Sequence, residues 1–312
     1  MSERWAYLGP EATFTEQAAR DLAAAESAAP QLVQQSSVAT AIDAVRTAAA
    51  DAAVVPLENS VEGTVSLTQD ELIHGGELRI VAECYLPVRF DLLVRPGTKA
   101  ADIHTIGSHP HGHAQVREHL AAHFPNAEAV VTGSTAAAAA AVQAGTIDAA
   151  AAAPVAAEHY GLQAISRDIG LNADAVTRFV LLRRPAPPPA PTGNDRTSLV
   201  LSVPNRPGTL LEVLGEIAGR GVNLTRLESR PTREVMGEYV FLVDADGHIA
   251  EPAMADTLAA LHRRGALLRY LGSYPRGRGQ VVERPDFAGS AAYAAATETI
   301  TSLGGEKRCG SS

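Results

Sequence analysis

Phe179-Val180-Leu181-Leu182-Arg183-Arg184-Pro185-Ala186-Pro187-Pro188-Pro189-Ala190-Pro191 is the stretch on which the fold turns. Its first four residues read as a strand. Its prolines fix φ and lack an amide donor, so from Pro185 the chain can neither pair in a sheet nor continue a helix. Residues 185–195 are therefore expected to be a stiff linker, with one domain over 1–184 and a second over 196–275. Sizes of roughly 180 and 80 residues suit separate cores.

Downstream, Thr197-Ser198-Leu199-Val200-Leu201-Ser202-Val203 reads as a strand, and Pro207 opens a helix that puts Leu210, Leu214 and Ile217 on one face before Gly221 stops it. A strand follows from Val222, a third over Glu238 to Val243, a helix over Pro252 to Arg264 and a last strand over Ala266 to Leu271. The order βαββαβ predicts a ferredoxin-like unit. Beyond Tyr274 small polar residues carry no apolar stripe, so 276–312 is expected to be a disordered tail.

Upstream, strands and helices alternate, which indicates an α/β fold. Ser37, Ala39, Ala41, Ala44, Val45, Asp51, Ala52 and Ala53 match Ser134, Ala136, Ala138, Ala141, Val142, Asp148, Ala149 and Ala150 at one constant offset. Each copy reads as a helix, then Asp-Ala-Ala, then a strand ending at Pro56 or Pro154. The repeat implies two similar α/β lobes, with a ligand cleft between them. Ile80 to Val94 reads as the crossover between lobes and Phe179 to Leu182 as the return strand.

Hydrophobic residues make up 46% of the 312, aromatics only 4%, and the formal net charge is −9. The many alanines predict closely packed helices. No Lys/Arg cluster offers a footprint for nucleic acid. Cys84 and Cys309 form neither a CxxC nor a zinc spacing. Met1 to Tyr7 lacks the pattern of a secretory signal, and no apolar run reaches membrane-spanning length, so a cytoplasmic protein with no membrane or nucleic-acid partner is expected.

Four polar turns in the first domain follow apolar strands, where α/β proteins place ligands. In Gly9-Pro10-Glu11-Ala12-Thr13-Phe14-Thr15-Glu16, Thr13 and Glu16 have capping-box spacing, and the helix start would present free N–H groups to an anion; a plain capped helix fits equally. In Pro56-Leu57-Glu58-Asn59-Ser60-Val61-Glu62-Gly63-Thr64, carboxylates, an amide and hydroxyls crowd one turn, as a ligand site or as a solvated cap. In Ser108-His109-Pro110-His111-Gly112-His113-Ala114-Gln115, Ser108 is expected to cap a helix from Pro110; the histidines sit beside a proline and lack a metal-ligand partner set, so no metal is expected. In Thr177-Arg178-Phe179, Arg178 offers a bidentate fork for a carboxylate, or is a surface Arg entering a strand. No Gly-x-Ser-x-Gly elbow, P-loop or Rossmann fingerprint occurs, so the chemistry is expected to need no covalent intermediate, nucleotide or other cofactor.

Taken in order, these segments resemble the prephenate dehydratase family over about Tyr7 to Tyr274, most specifically at Gly9-Pro10-Glu11 with Thr13-Phe14-Thr15, Pro56-Leu57-Glu58-Asn59-Ser60, Ser108-His109-Pro110 and Thr177-Arg178-Phe179. The second domain resembles that family's ACT regulatory domain through Pro204-Asn205-Arg206-Pro207-Gly208-Thr209-Leu210-Leu211 and Glu228-Ser229-Arg230-Pro231. The resemblance implies a two-lobed catalytic domain like a periplasmic binding protein, a ferredoxin-like ACT domain that binds phenylalanine as effector, and conversion of prephenate to phenylpyruvate with loss of water and carbon dioxide. It also implies a homodimer or homotetramer. By that analogy Asn59, Ser108, Gln115, Thr177, Arg178 and Phe179 line the active site, with Glu58 and Ser60 nearby and Thr13 at a substrate-facing helix start. Thr177 would hydrogen-bond the departing ring hydroxyl, and Glu58 is a candidate proton source. Phenylalanine would sit around Asn205, Gly208, Thr209, Leu210 and Leu211 and around Glu228, Ser229 and Arg230, across a subunit interface. Two departures stand out. Family members often carry Gly where this chain has Ala12, and His111-Gly112-His113 replaces their common Gln-Ala-Leu. Other readings are a dehydratase of the amino analogue arogenate, a catalytically silent amino-acid sensor and, disfavoured by the N-terminus, an extracellular solute-binding protein.

Overall fold

The computed structural model describes residues 2–61, 63–172, 174–233, 238–278 and 284–305. The chain forms two compact units. One runs to Leu78 and from Glu83 to Arg184; the other takes Arg79–Ala82 and the chain from Pro185 onward.

The first unit holds two sheets built on one plan. β1 (Arg4–Leu8), α1 (Phe14–Ala25), β2 (Gln31–Gln35), α2 (Val38–Arg46), β3 (Ala52–Asn59), the short β4 (Gly63–Thr64) and α3 (Ser66–His74) come first, followed by β5 (Arg79–Pro87). β6 (Asp91–Val94), β7 (Thr105–Ser108), α4 (Pro110–His123), β8 (Glu128–Val131), α5 (Thr135–Gln143), β9 (Ala149–Ala152), α6 (Val155–Tyr160) and β10 (Gln163–Ser166) make the second lobe, and β11 (Val176–Arg183) returns to the first. The strand orders are β2-β1-β3-β11-β5, with β4 beside β3, and β10-β6-β9-β7-β8. In each lobe the strand next to one edge lies between two parallel neighbours: β1 between β2 and β3, β7 between β8 and β9. The third strand of each set then meets an antiparallel one, β11 on β3 and β6 on β9. The repeat read in the sequence is this shared topology. Its two serines, Ser37 and Ser134, accept from the amides of Thr40 and Ala137 and so start α2 and α5 at equivalent places.

Alanine has a definite use here. All four alanines of β9 are fully buried, Ala150 and Ala152 in one apolar cluster with α5, Ala149 and Ala151 in another with Phe90, Ile106 and Val116. With only a methyl on each side, the strand lets both layers approach its backbone closely. The lobes are joined twice, by Val88–Phe90 after β5 and by the segment before β11. These two crossings bond each other: Val88 N donates to Ala175 O at 2.7 Å, and Ile169 N to Phe90 O at 2.8 Å.

The second unit contains β12 (Asp195–Ser202), α7 (Thr209–Ala218), β13 (Leu224–Pro231), β14 (Tyr239–Asp246), α8 (Pro252–Arg263) and β15 (Leu267–Pro275). Its antiparallel sheet runs β13-β14-β12-β15, the ferredoxin-like order. Val213, Ile217, Met254 and Leu261 from the helices close its core against Leu199, Leu201 and Val243. The tail departs from the expectation of disorder. α9 (Ser290–Gly305) forms there, with the partly buried Tyr293 packed against this core. Alanine-rich chain has high intrinsic helix propensity without an apolar stripe, which is what a periodicity reading misses. Residues 279–283 and 306–312 lie outside the described set.

Candidate active site

The cleft between the lobes of the first unit encloses a cavity of about 820 Å³. It lies at the ends of the parallel strands, where the backbone passes into helices. Three helix N-termini reach its wall, α1 through Thr13, Phe14 and Thr15, α4 through His109 and His111, and α5 through Ser134 and Thr135, and Ser36, just before the cap of α2, lies beside them. Each terminus presents amides with no helical acceptor and the positive end of a helix dipole. Among the described residues no Lys, Arg, Asp or Glu side chain lines the cavity. Attraction for an anion therefore comes from backbone amides, hydroxyls and the two histidines.

Asn59 and Thr177 form the polar centre. They are direct partners in the antiparallel pairing of β3 and β11, and Asn59 Nδ2 donates to Thr177 Oγ1 at 2.8 Å. The hydroxyl thus accepts from the amide and keeps its own proton for a third group in the cavity. Thr13, Gln115 and Phe179 also face this space. Thr13 caps α1 by accepting from Glu16 N, while Glu16 accepts from Ala12 N at 2.6 Å. Ala12 sits at φ 61°, the left-handed region that favours glycine.

Four expected site residues point elsewhere. Arg178 does not clamp a ligand from the cavity wall. Side chains alternate along a strand, so with Thr177 and Phe179 facing the cleft, Arg178 faces the other side of the sheet. It is 3% exposed there, and its Nε donates to Glu83 Oε2 at 2.7 Å. Glu58 lies on that same side, 3.8 Å from Arg178 Nη1, and is not placed to hand a proton to a ligand in the cleft. Ser60 accepts from Val176 N at 3.0 Å, fastening the ends of β3 and β11. Ser108 is fully buried and donates to Ala151 O at 2.8 Å, tying β7 to β9. It does not cap α4; His109 does, one residue later, its ring accepting from His111 N at 3.3 Å. Gly112 leaves room for Ser108, since a Cβ at this position would overlap its hydroxyl. Glu62 lies outside the described residues.

Sequence reasoning missed Gln34, Gln35, Ser36, Ser134 and Thr135 as cleft residues. A signal existed: Ser37 and Ser134 were equivalent in the repeat, and equivalent helix starts face a shared cleft. Cys84, on β5, has its thiol pushed up to about 12, first by burial and then by the nearby Asp21 and Glu83 carboxylates, so it stays protonated and inert at neutral pH. Among the described residues no group of three or more His, Cys, Asp or Glu could hold a metal ion, and no helix is long and apolar enough to cross a membrane.

In the second unit Gly208 precedes α7 at φ +86°, a conformation that side chains rarely adopt, and it caps the helix with no side chain of its own. Leu211 beside it is 74% exposed. Glu228, Ser229 and Arg230 lie on the edge strand β13, with β14 between it and β12.

Comparison with known proteins matches this geometry to a family. The prephenate dehydratase model covers residues 5–187, and the ACT domain model covers 197–263. The chain belongs to the prephenate dehydratase family. It is 50% identical over 302 residues to the prephenate dehydratase of Amycolatopsis methanolica, covering 95% of this chain and 98% of that one. The Mycobacterium marinum enzyme is 48% identical over 281 residues, covering 88% and 89%. Among solved structures, prephenate dehydratase from Arthrobacter aurescens in complex with L-Phe aligns with a TM-score of 0.87 at 43% identity, covering 96% of this chain and 99% of that one. The lyase reading of the sequence therefore holds, as does its pairing of a prephenate dehydratase domain with a C-terminal ACT domain.

Proposed function

We propose that the cleft converts prephenate to phenylpyruvate, and that phenylalanine bound by the second unit regulates it. The Asn59–Thr177 pair, surrounded by helix N-termini, carries this reading. Prephenate bears two carboxylates, and a wall of free amides without carboxylates suits a dianion. In the reaction the ring carboxylate leaves as carbon dioxide, its bonding electrons enter the ring, and the ring hydroxyl departs and takes up a proton to become water. Aromatisation supplies the driving force. The protein must hold the ring carboxylate in place and assist the departing oxygen. Thr177 has the donor for that assistance, since Asn59 already occupies its acceptor side. A threonine hydroxyl is too weak an acid to donate outright, so it polarises the leaving oxygen or relays a proton from water.

For the effector, the start of α7 after Gly208 suits an amino-acid carboxylate, and Glu228, whose Oε2 also meets Arg226 Nη2 at 2.7 Å, offers a carboxylate for its ammonium. A homodimer or homotetramer, in which β13 of one copy approaches α7 of another, would bring these groups together.

The test is phenylpyruvate release from prephenate at neutral pH with a chelator, with and without phenylalanine, against Thr177→Ala. Turnover that depends on Thr177 and responds to phenylalanine is the expected result. No release from prephenate, or full release by Thr177→Ala, overturns the reading.

A further inference from the structure

The reverse face of the sheet beneath Thr177 carries the least expected group in the first unit. Glu83, on β5, has a side chain with 0% exposure, and Arg178, on β11, has one with 4%. They meet at 2.7 Å, while Glu58, on β3, approaches Arg178 at 3.8 Å and is 43% exposed. In the strand order β3-β11-β5 the guanidinium thus spans three adjacent strands. Burying two opposite charges is costly even when they are paired, and apolar residues of similar volume would pack at least as stably. A pair kept in such a place invites a role in fixing geometry.

The geometry to be fixed lies one residue to either side of Arg178. Arg178 lies between two residues that face the cleft, and the register of β11 on β3 slips directly after it. Arg178 pairs with Glu58 but Phe179 with Pro56, leaving Leu57 without a partner in the ladder. A ladder interrupted at this point leaves the placement of Thr177 and Phe179 less firmly set by backbone pairing. We propose that Glu83 is a positioning residue: by holding Arg178 from β5 it fixes the short stretch of β11 that presents Thr177 to the leaving oxygen and Phe179 to the ring. This rests on the reading that Thr177 assists dehydration of prephenate.

The test is a cycle in kcat and KM for Glu83→Leu and Glu83→Gln, each in the native and the Thr177→Ala background, with thermal unfolding followed alongside. A misplacement of about 1 Å at the reacting groups costs up to about 100-fold in rate, so Glu83→Leu should lower kcat by tenfold to 100-fold with KM within about twofold. Glu83→Gln keeps an acceptor for the Arg178 Nε–H and should hold kcat within about threefold of the native value. In the Thr177→Ala background Glu83→Leu should cost distinctly less kcat, because one of the two groups it places is gone and only the setting of Phe179 remains. A merely structural residue would lower the unfolding temperature and leave the kcat of the folded enzyme alone. Equal fold-losses in both backgrounds, or native kcat in Glu83→Leu, overturn the proposal. If Glu83→Leu yields no folded protein, Glu83→Asp, one methylene too short to reach Arg178, is put through the same cycle with the same criteria. Failure of the underlying reading looks different: Thr177→Ala alone would then match the native enzyme.

Discussion

Changing Asn59 to Asp alters almost no volume and reverses the direction of one hydrogen bond. In the native site Asn59 Nδ2 donates to Thr177 Oγ1 at 2.8 Å, which leaves the threonine proton for the substrate. A carboxylate at that position can only accept, so the threonine hydroxyl would turn and spend its proton on it. The cleft would lose a donor aimed at the departing oxygen, a loss worth about 100- to 1000-fold in kcat, or about 3–4 kcal/mol. Asn59→Ala removes only the orienting bond. A neutral hydrogen bond contributes about 0.5–1.5 kcal/mol, so kcat should fall by roughly twofold to tenfold. The nearly isosteric change should therefore be the milder one in shape and the harsher one in rate. The new carboxylate also adds a pH signature: protonating it restores a donor, so the Asn59→Asp enzyme should gain activity, relative to the native enzyme, as pH falls toward the carboxylate range. Phenylpyruvate release across pH measures both effects. If Asn59→Asp is as active as Asn59→Ala, or its profile runs parallel to the native one, the hydroxyl is not oriented in this way.

Other consequences follow from single contacts. Burial pushes the Asp148 carboxyl up, but bonds from His104 N, Thr105 N and Thr105 Oγ1 outweigh it and hold it below the usual aspartate range. A lowered folded-state pKa stabilises above the unfolded value and is lost as pH falls through the folded one. The gap in urea midpoint between native protein and Asp148→Asn should accordingly be largest at neutral pH and shrink as acid protonates the carboxylate, closing once pH has fallen below its lowered folded-state pKa. Gly107→Val places a side chain where a Cβ already overlaps the Ile147 Cδ1 methyl, so the unfolding free energy should drop by about 1–3 kcal/mol or more in a denaturant titration. Gly208→Val meets no neighbour within 4 Å but must hold φ +86°, a strain of about 1–3 kcal/mol at a helix start. Activity without effector should persist, while the response to phenylalanine in the turnover assay weakens or disappears.

The elements were legible wherever a local cause fixed them. Ser37 and Ser134 announced their helices because a cap is a contact within three residues, and the shared Asp-Ala-Ala that follows revealed the second lobe. Pro185–Pro191 divided the chain because proline acts on its own backbone. The Asn59–Thr177 bond was not legible from local chain: 118 residues separate its partners, and only the antiparallel return of β11 onto β3 brings them together. Arg178 teaches a different lesson. A strand that turns Thr177 and Phe179 toward a ligand must turn the residue between them away. That signal was in the sequence, and the chemical appeal of a guanidinium concealed it. Ser108 was misread for a related reason, since a hydroxyl before a helix resembles a cap until a neighbouring strand claims its proton. In the tail, alanine propensity and the anchor Tyr293 make α9, with no stripe to betray it.

The two crossings between lobes end at one place, where Val88, Phe90 and Ala175 also line the cavity. A gate built this way is a book bound along a double-stitched spine rather than a door on one pin. A single proteolytic nick at either crossing leaves the pages joined by the other thread, so neither half can leave the enzyme until both are severed. A ligand in this cavity would rest against the stitching itself, so a nicked enzyme should grip its substrate less well long before it comes apart.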